Sequence, residues 1–161
     1  MSAHEIPPVR LDIHLEVPPH RAYETFVGEF DRIKPREHNL LTVPIAETVF
    51  EARPGGAIFD RGVDGSVCRW GEVLYLDPPY RLVFAWLLDP DYSLVADRRD
   101  ASEVEVRFID VDGRSTRVEL EHRHIERHGE RAPSLRDDVA GNNGWPIYLH
   151  QFTMIIQEAA T

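Results

Sequence analysis

Residues 70–86 read Trp-Gly-Glu-Val-Leu-Tyr-Leu-Asp-Pro-Pro-Tyr-Arg-Leu-Val-Phe-Ala-Trp, and the fold turns on how that stretch is read. Proline fixes φ and offers no N–H to a ladder, so Pro78-Pro79 turns the chain instead of lying inside a central strand. The apolar, aromatic-rich runs on either side are then two strands, Val67 to Asp77 and Arg81 to Leu88. Gly71, Val73 and Tyr75 make a face as apolar as the one carrying Trp70, so parity leaves open which side of the sheet Trp70 faces.

Upstream, Val9 to Val17 alternates, with Leu11, Ile13, Leu15 and Val17 on one face and Arg10, Asp12, His14 and Glu16 on the other, the period-2 signature of a half-buried strand. Pro18-Pro19 ends it, and Ala22, Tyr23, Phe26, Val27 and Phe30 recur at helical spacing to about Phe30, with a break near Pro35. Ile45 to Ala52 and Ala57 to Val63 flank the turn Arg53-Pro54-Gly55-Gly56, and Asp64-Gly65 favours the next hairpin. Downstream, Asp89 to Ala101 is polar and irregular, as a mobile loop would be. Glu103 to Val111 alternates Val104, Val106 and Phe108 against Glu103, Glu105 and Arg107. After Asp112-Gly113, Thr116 to Ile125 places Val118, Leu120, His122 and His124 on one face, so both histidines are expected to point inward.

Leu135 and Val139, with the capping-box-like start Ser134-x-x-Asp137, predict a short helix within Pro133 to Asn143. Trp145, Leu149, Phe152, Ile156 and Ala159 then recur at spacings of three and four, with Pro146 at the helix start, predicting a terminal helix from Pro146 to Ala160. The order strand, helix pair, six strands, helix excludes alternating βα units and gives an α+β fold with an antiparallel sheet covered by one long helix. Strands of about ten residues run to roughly 33 Å, and a strongly twisted sheet of that size bows around the helix and leaves a concavity.

The 161 residues suit one domain, 1–161, and their composition of 42% hydrophobic and 29% charged residues is that of a soluble globular protein. No apolar run approaches the roughly 20 residues that span a bilayer. A net charge of −10 opposes attachment to nucleic acid or anionic membrane, because phosphate contacts depend on Lys and Arg that carboxylates outnumber here. The N-terminus lacks the basic start and apolar centre of an export signal, and Cys68 is the only cysteine, which fits a reducing cytoplasm.

Several motifs together carry a family resemblance: Arg53-Pro-Gly-Gly56, Asp64-Gly65, Trp70-Gly-Glu-Val73, Asp77-Pro-Pro79 with Arg81-Leu-Val-Phe84 and Trp86, Val104-x-Val-x-Phe108, Thr116-Arg-Val-Glu-Leu-Glu-His122 and Gly144-Trp145. In that order and spacing the chain resembles the START-like, or SRPBCC, superfamily, in the branch named after the activator of Hsp90 ATPase. The resemblance implies the helix-grip (Bet v 1-like) fold: a curved seven-stranded antiparallel sheet wrapped around a long C-terminal helix, with an apolar cavity between them. It implies no single reaction, since the superfamily includes lipid and hormone binders, polyketide cyclases and chaperone activators. The chain departs from its relatives at Ile33-Lys34-Pro35, where they usually carry a tryptophan before the proline, a change expected to open or reshape one cavity wall.

The expected cavity residues are Trp70, Phe84, Trp86, Phe108, His122, His124, Trp145, Tyr148, Leu149 and Phe152, with a small hydrophobic or aromatic molecule as ligand. The same aromatics read more simply as core. His122 is the candidate general acid or base of a cyclase- or dehydratase-like alternative, its pKa lying near neutrality. His122-x-His124 offers two imidazoles to a metal, with His38 or His150 as third ligand only if the fold brings them close; hydrogen-bonded histidines without metal or other cofactor are the stronger reading. Arg61 and Arg69 read as solvated strand residues, or as snorkelling inward toward a ligand carboxylate. A chaperone ATPase activator is the third reading, and a homodimer through a strand edge or the terminal helix is compatible with the pattern.

Overall fold

The computed structural model describes residues 6–89 and 93–159. Seven strands form one antiparallel sheet: β1 Val9–Leu15, β2 Ile45–Phe50, β3 Ala57–Gly62, β4 Val67–Asp77, β5 Arg81–Trp86, β6 Ser102–Asp110 and β7 Thr116–Arg123. Their order is β1-β7-β6-β5-β4-β3-β2, so β2 to β7 form a meander and β1 closes against β7. Two helices, α1 Pro19–Gly28 and α2 Phe30–Ile33, carry the chain from one edge of the sheet to the other. α3 Ala132–Ala140 and α4 Trp145–Ala159 follow the last strand. This is the helix-grip architecture, a curled sheet around a long C-terminal helix.

Element types follow the sequence pattern, and most differences fall at the ends. β1 stops at Leu15, short of Val17, and β5 stops at Trp86, beyond which Leu88 makes a lone bridge to Leu94. The helix pair expected after β1 is present as α1, which ends at Gly28, and the single turn of α2. In the expected loop Asp89 to Ala101, the described residues are irregular apart from the bridge at Leu94 and a 3-10 turn at Arg98–Asp100, while residues 90–92 lie outside the described residues, as do residues 1–5 of the N-terminal expectation and Ala160.

Curvature comes from irregular register. Opposite β3, Ile58 pairs Gly71 while Phe59 pairs Arg69, leaving Trp70 as an extra residue in β4; opposite β5, Val73 pairs Phe84 while Tyr75 pairs Val83, leaving Leu74 extra. Each bulge bends the strand, sharpens its twist and reverses which parity faces inward. That is how β4 buries Cys68 and Trp70 and then Gly71 and Val73. Gly71 lets β3 pack closely there, since a Cβ would lie 3.0 Å from Ile58 Cδ1 and 3.1 Å from Ile58 Cβ and would push Ile58 aside by a few tenths of an ångström.

The concave face holds the core. α4 buries Trp145, Tyr148, Leu149, Phe152, Ile155 and Ile156 along one stripe. Phe26 of α1 is its aromatic hub, with ring centroids 5.4 Å from Phe152, 5.4 Å from Phe30 and 5.9 Å from Phe108. Among the described residues no helix is long and apolar enough to cross a membrane.

On the convex face, Glu105 is only 1% exposed and is ringed by Arg81, Arg107 and Arg123. Burial alone would raise its carboxyl pKa; hydrogen bonds from the three guanidiniums outweigh that and hold it at about 2. A depressed folded pKa means the stabilisation is fully present above the unfolded value and is lost as pH falls through about 2. Glu105→Gln is therefore expected to cost about 1–2 kcal/mol at pH 6, a figure discounted for the partly exposed arginines. In urea titrations the gap from the parent should close on acidification below pH 3; a gap independent of pH would remove the electrostatic explanation.

Candidate functional site

The site is built where α2 ends. Pro35 disfavours helical backbone at the residue before it, and Lys34 accordingly turns extended, with φ −78° and ψ 124°. Its stem leaves the helix toward the sheet, and the side chain is buried against Asp60 of β3, Nζ 3.1 Å from Oδ2. Asp60 is itself held: its Oδ1 accepts from Thr48 Oγ1 at 2.7 Å and from Trp70 Nε1 at 3.3 Å. The Lys34 ammonium also donates to the His38 carbonyl and sits 5.9 Å from the Trp70 ring centre. The His38 ring meets the Tyr148 hydroxyl through Nδ1 at 3.0 Å, so His38 ties Lys34 to α4.

These groups form one corner of a cavity of about 430 Å³ between the sheet, α3 and α4. Trp70, Trp86, Trp145 and Tyr148 supply aromatic wall, and Leu88, Leu135 and Val139 aliphatic wall. Glu37 and Asp138 also border it and are exposed, at its solvent side. Burial pulls the Lys34 ammonium pKa below its ordinary value, against which the Asp60 carboxylate pulls back. Burial, helped by the Lys34 charge, lowers the His38 imidazole, and burial pushes the Tyr148 phenol well up, so both are neutral near pH 7. The corner can offer hydrogen bonds to a ligand oxygen, and the wall can stack on a flat ring.

A second polar chain lies beneath the wall. Trp145 Nε1 can only donate, and it does so to His122 Nδ1 at 3.0 Å; His122 Nε2 then donates to Ser102 Oγ at 2.7 Å. The Ser102 hydroxyl donates to His128 Nε2 at 2.8 Å, and His128 Nδ1 to Asp89 at 3.1 Å. Burial, with His128 nearby, lowers the His122 pKa to about 3.

Comparison with known proteins fits this geometry. Residues 16–157 match the family described as activator of Hsp90 ATPase homolog 1-like protein. The chain belongs to that family. Its fold superposes on a solved structure described as the anthrahydroquino-gamma-pyrone synthase Txn09 complexed with SUM, at 32% identity and TM-score 0.65, covering 94% of this chain and 97% of that one. It is also similar to CalC, a self-sacrificing resistance protein from Micromonospora echinospora, at 26% identity and TM-score 0.66, covering 95% and 96%. Protein MLL2253 from Mesorhizobium loti, at 19% identity and TM-score 0.64 over 94% and 98%, shares the fold. No curated protein matches the sequence.

Of the expected cavity residues in this AHSA1-like chain, Trp70, Trp86, Trp145 and Tyr148 line the cavity. Phe84, Phe108, Leu149 and Phe152 are buried in the core and are not part of its wall. His122 is a correction: it is fully buried with both ring nitrogens engaged, so it anchors Trp145 and has no free nitrogen for acid–base work. His124 is a second correction. β7 ends at Arg123, His124 takes left-handed backbone at φ 59°, and its side chain is 45% exposed, outside the cavity. The two histidines therefore do not converge as metal ligands, and among the described residues no three His, Cys, Asp or Glu are grouped to hold an ion. Of the other two candidate histidines, His150 is exposed on α4 and His38 faces Tyr148. Arg61 and Arg69 are both exposed, as the solvated reading has it.

Lys34, His38 and Asp60 are not among the expected cavity residues. The sequence does hold a signal for the first: the chain has 17 arginines and one lysine, and that lysine follows a buried apolar turn and precedes a proline.

Proposed function

We propose that this protein binds a small aromatic molecule in the cavity between the sheet and α4. The observation that carries the reading is the wall: every tryptophan of the chain, Trp70, Trp86 and Trp145, borders the same space. About 430 Å³ lies within the roughly 300–1,000 Å³ typical of ligand pockets. The similarity to a protein described as an anthrahydroquino-gamma-pyrone synthase supports a fused aromatic ring system as the ligand class.

The placement of the tryptophans gives the test. Titration with 9-fluorenone, a flat three-ring probe, should quench more than half of the tryptophan emission along a saturable curve. It should also raise the melting temperature by about 5 °C at a hundredfold excess over Kd. Linear, unsaturable quenching with no thermal shift would sink the reading.

A second reading, a cyclase- or dehydratase-like enzyme, is favoured by the neutral His38 imidazole and the Tyr148 hydroxyl at the cavity corner, which take over the acid–base role first expected of His122. The chaperone-activator reading draws on the family's description, and stimulation of an Hsp90-type ATPase by the purified protein is its test.

A further inference from the structure

Among the described residues, the donors around the cavity do not all have acceptors. An ammonium carries three N–H bonds, and Lys34 uses two, one to Asp60 Oδ2 and one to the His38 carbonyl. No acceptor for the third is found among the described residues, although Lys34 is 6% exposed and borders the cavity. Among the described residues the Tyr148 hydroxyl makes a single hydrogen bond, with His38 Nδ1, which leaves it either a donor or a lone pair to spare. The Trp86 indole N–H is, among the described residues, the only buried side-chain polar atom without a hydrogen-bond partner, and Trp86 is part of the same wall.

The opposite sign of charge is already in place. Both Asp60 oxygens are occupied, by Thr48, Trp70 and Lys34, so Asp60 keeps the ammonium paired without competing for its remaining N–H. An apolar ligand filling this cavity would strip water from that N–H and give nothing back, whereas a ligand oxygen would satisfy it in a low-dielectric setting. Charge-assisted hydrogen bonds are about twice as strong as neutral ones, which makes Lys34 the discriminating group.

We propose that the Lys34–Tyr148 corner is a carbonyl subsite: it selects aromatic ligands bearing a ketone, quinone or pyrone oxygen, with Lys34 as the specificity-determining residue. This rests on the cavity being the ligand site. A carbonyl held there is polarised by the ammonium, as enolisation of a ketone requires.

Fluorene and 9-fluorenone have the same ring frame and differ by one carbonyl, so their affinities isolate the subsite. Calorimetric titration of the full chain should show fluorenone binding at least about tenfold more tightly. The double variant Lys34→Met/Asp60→Asn, which removes the pair without stranding a charge, should bring the two ligands within about threefold. Tyr148→Phe should lose part of the preference and serves if the double variant does not fold. Because Lys34 is the only lysine, protein labelled with ε-15N-lysine gives one side-chain ammonium signal. That signal should shift with fluorenone and stay in place with fluorene. Equal binding of both ligands by the parent protein would overturn the subsite and leave the aromatic cavity standing; binding of neither would overturn both.

Discussion

Lys34→Met is expected to lower the unfolding free energy by about 3–5 kcal/mol. The side chains of Lys34 and Asp60 are 5% and 3% exposed, so the substitution leaves a carboxylate buried with, among the described residues, only Thr48 and Trp70 as donors. The cost is that of a stranded charge, and it says little about what the pair contributes against an apolar alternative. Lys34→Met/Asp60→Asn should therefore recover most of the loss, because it removes both charges while the amide oxygen that replaces the carboxylate can still accept from Thr48 and Trp70. Urea denaturation of the parent, the two single variants and the double variant forms a cycle with a coupling energy of about 2 kcal/mol or more. Losses that simply add would show that the two residues are not a buried, interacting pair.

That pair also marks where the sequence stops being legible. The turn at Pro78-Pro79, the alternation of β6 and β7 and the stripe on α4 are set by neighbours in the chain, and proline chemistry and periodicity read them directly. Lys34 and Asp60 stand 26 positions apart on different elements and meet only because the sheet curls beneath α2. Trp70 resists assignment to a face for a related reason: the bulges at Trp70 and Leu74 switch parity within one strand, and the only sequence hint, Gly71 beside the first, does not say which residue is extra. Periodicity misplaces His124 because one residue of left-handed backbone ends the alternation that β7 sustains to Arg123. For the site, aromaticity finds the four wall residues but does not separate them from Phe84, Phe108, Leu149 and Phe152, since wall and core are both buried, apolar and on the same faces.

Phe152→Ala separates wall from core by experiment, and its expected cost is about 3–5 kcal/mol, a fall in melting temperature of about 10 °C. Phe152 is 0% exposed, and its ring meets that of Phe26 edge-on, 5.4 Å between centroids at 73°. Phe26 also contacts Phe30, Phe50 and Phe108, so deleting the Phe152 ring removes packing from the point where α1, α4 and the sheet meet. The surrounding rings are held by each other and can close only part of the space, which is why the transfer cost is joined by a cavity cost. Fluorenone affinity of the folded protein should change by less than about threefold, because the altered ring is one turn of α4 away from Tyr148 and does not border the cavity. Tyr148→Phe should behave in the opposite way, with a small loss of stability and a measurable loss of ketone preference. If Phe152→Ala instead abolished binding at unchanged stability, the ligand would have to lie along the inner stripe of α4, and the assignment of Phe152 to the core would be wrong.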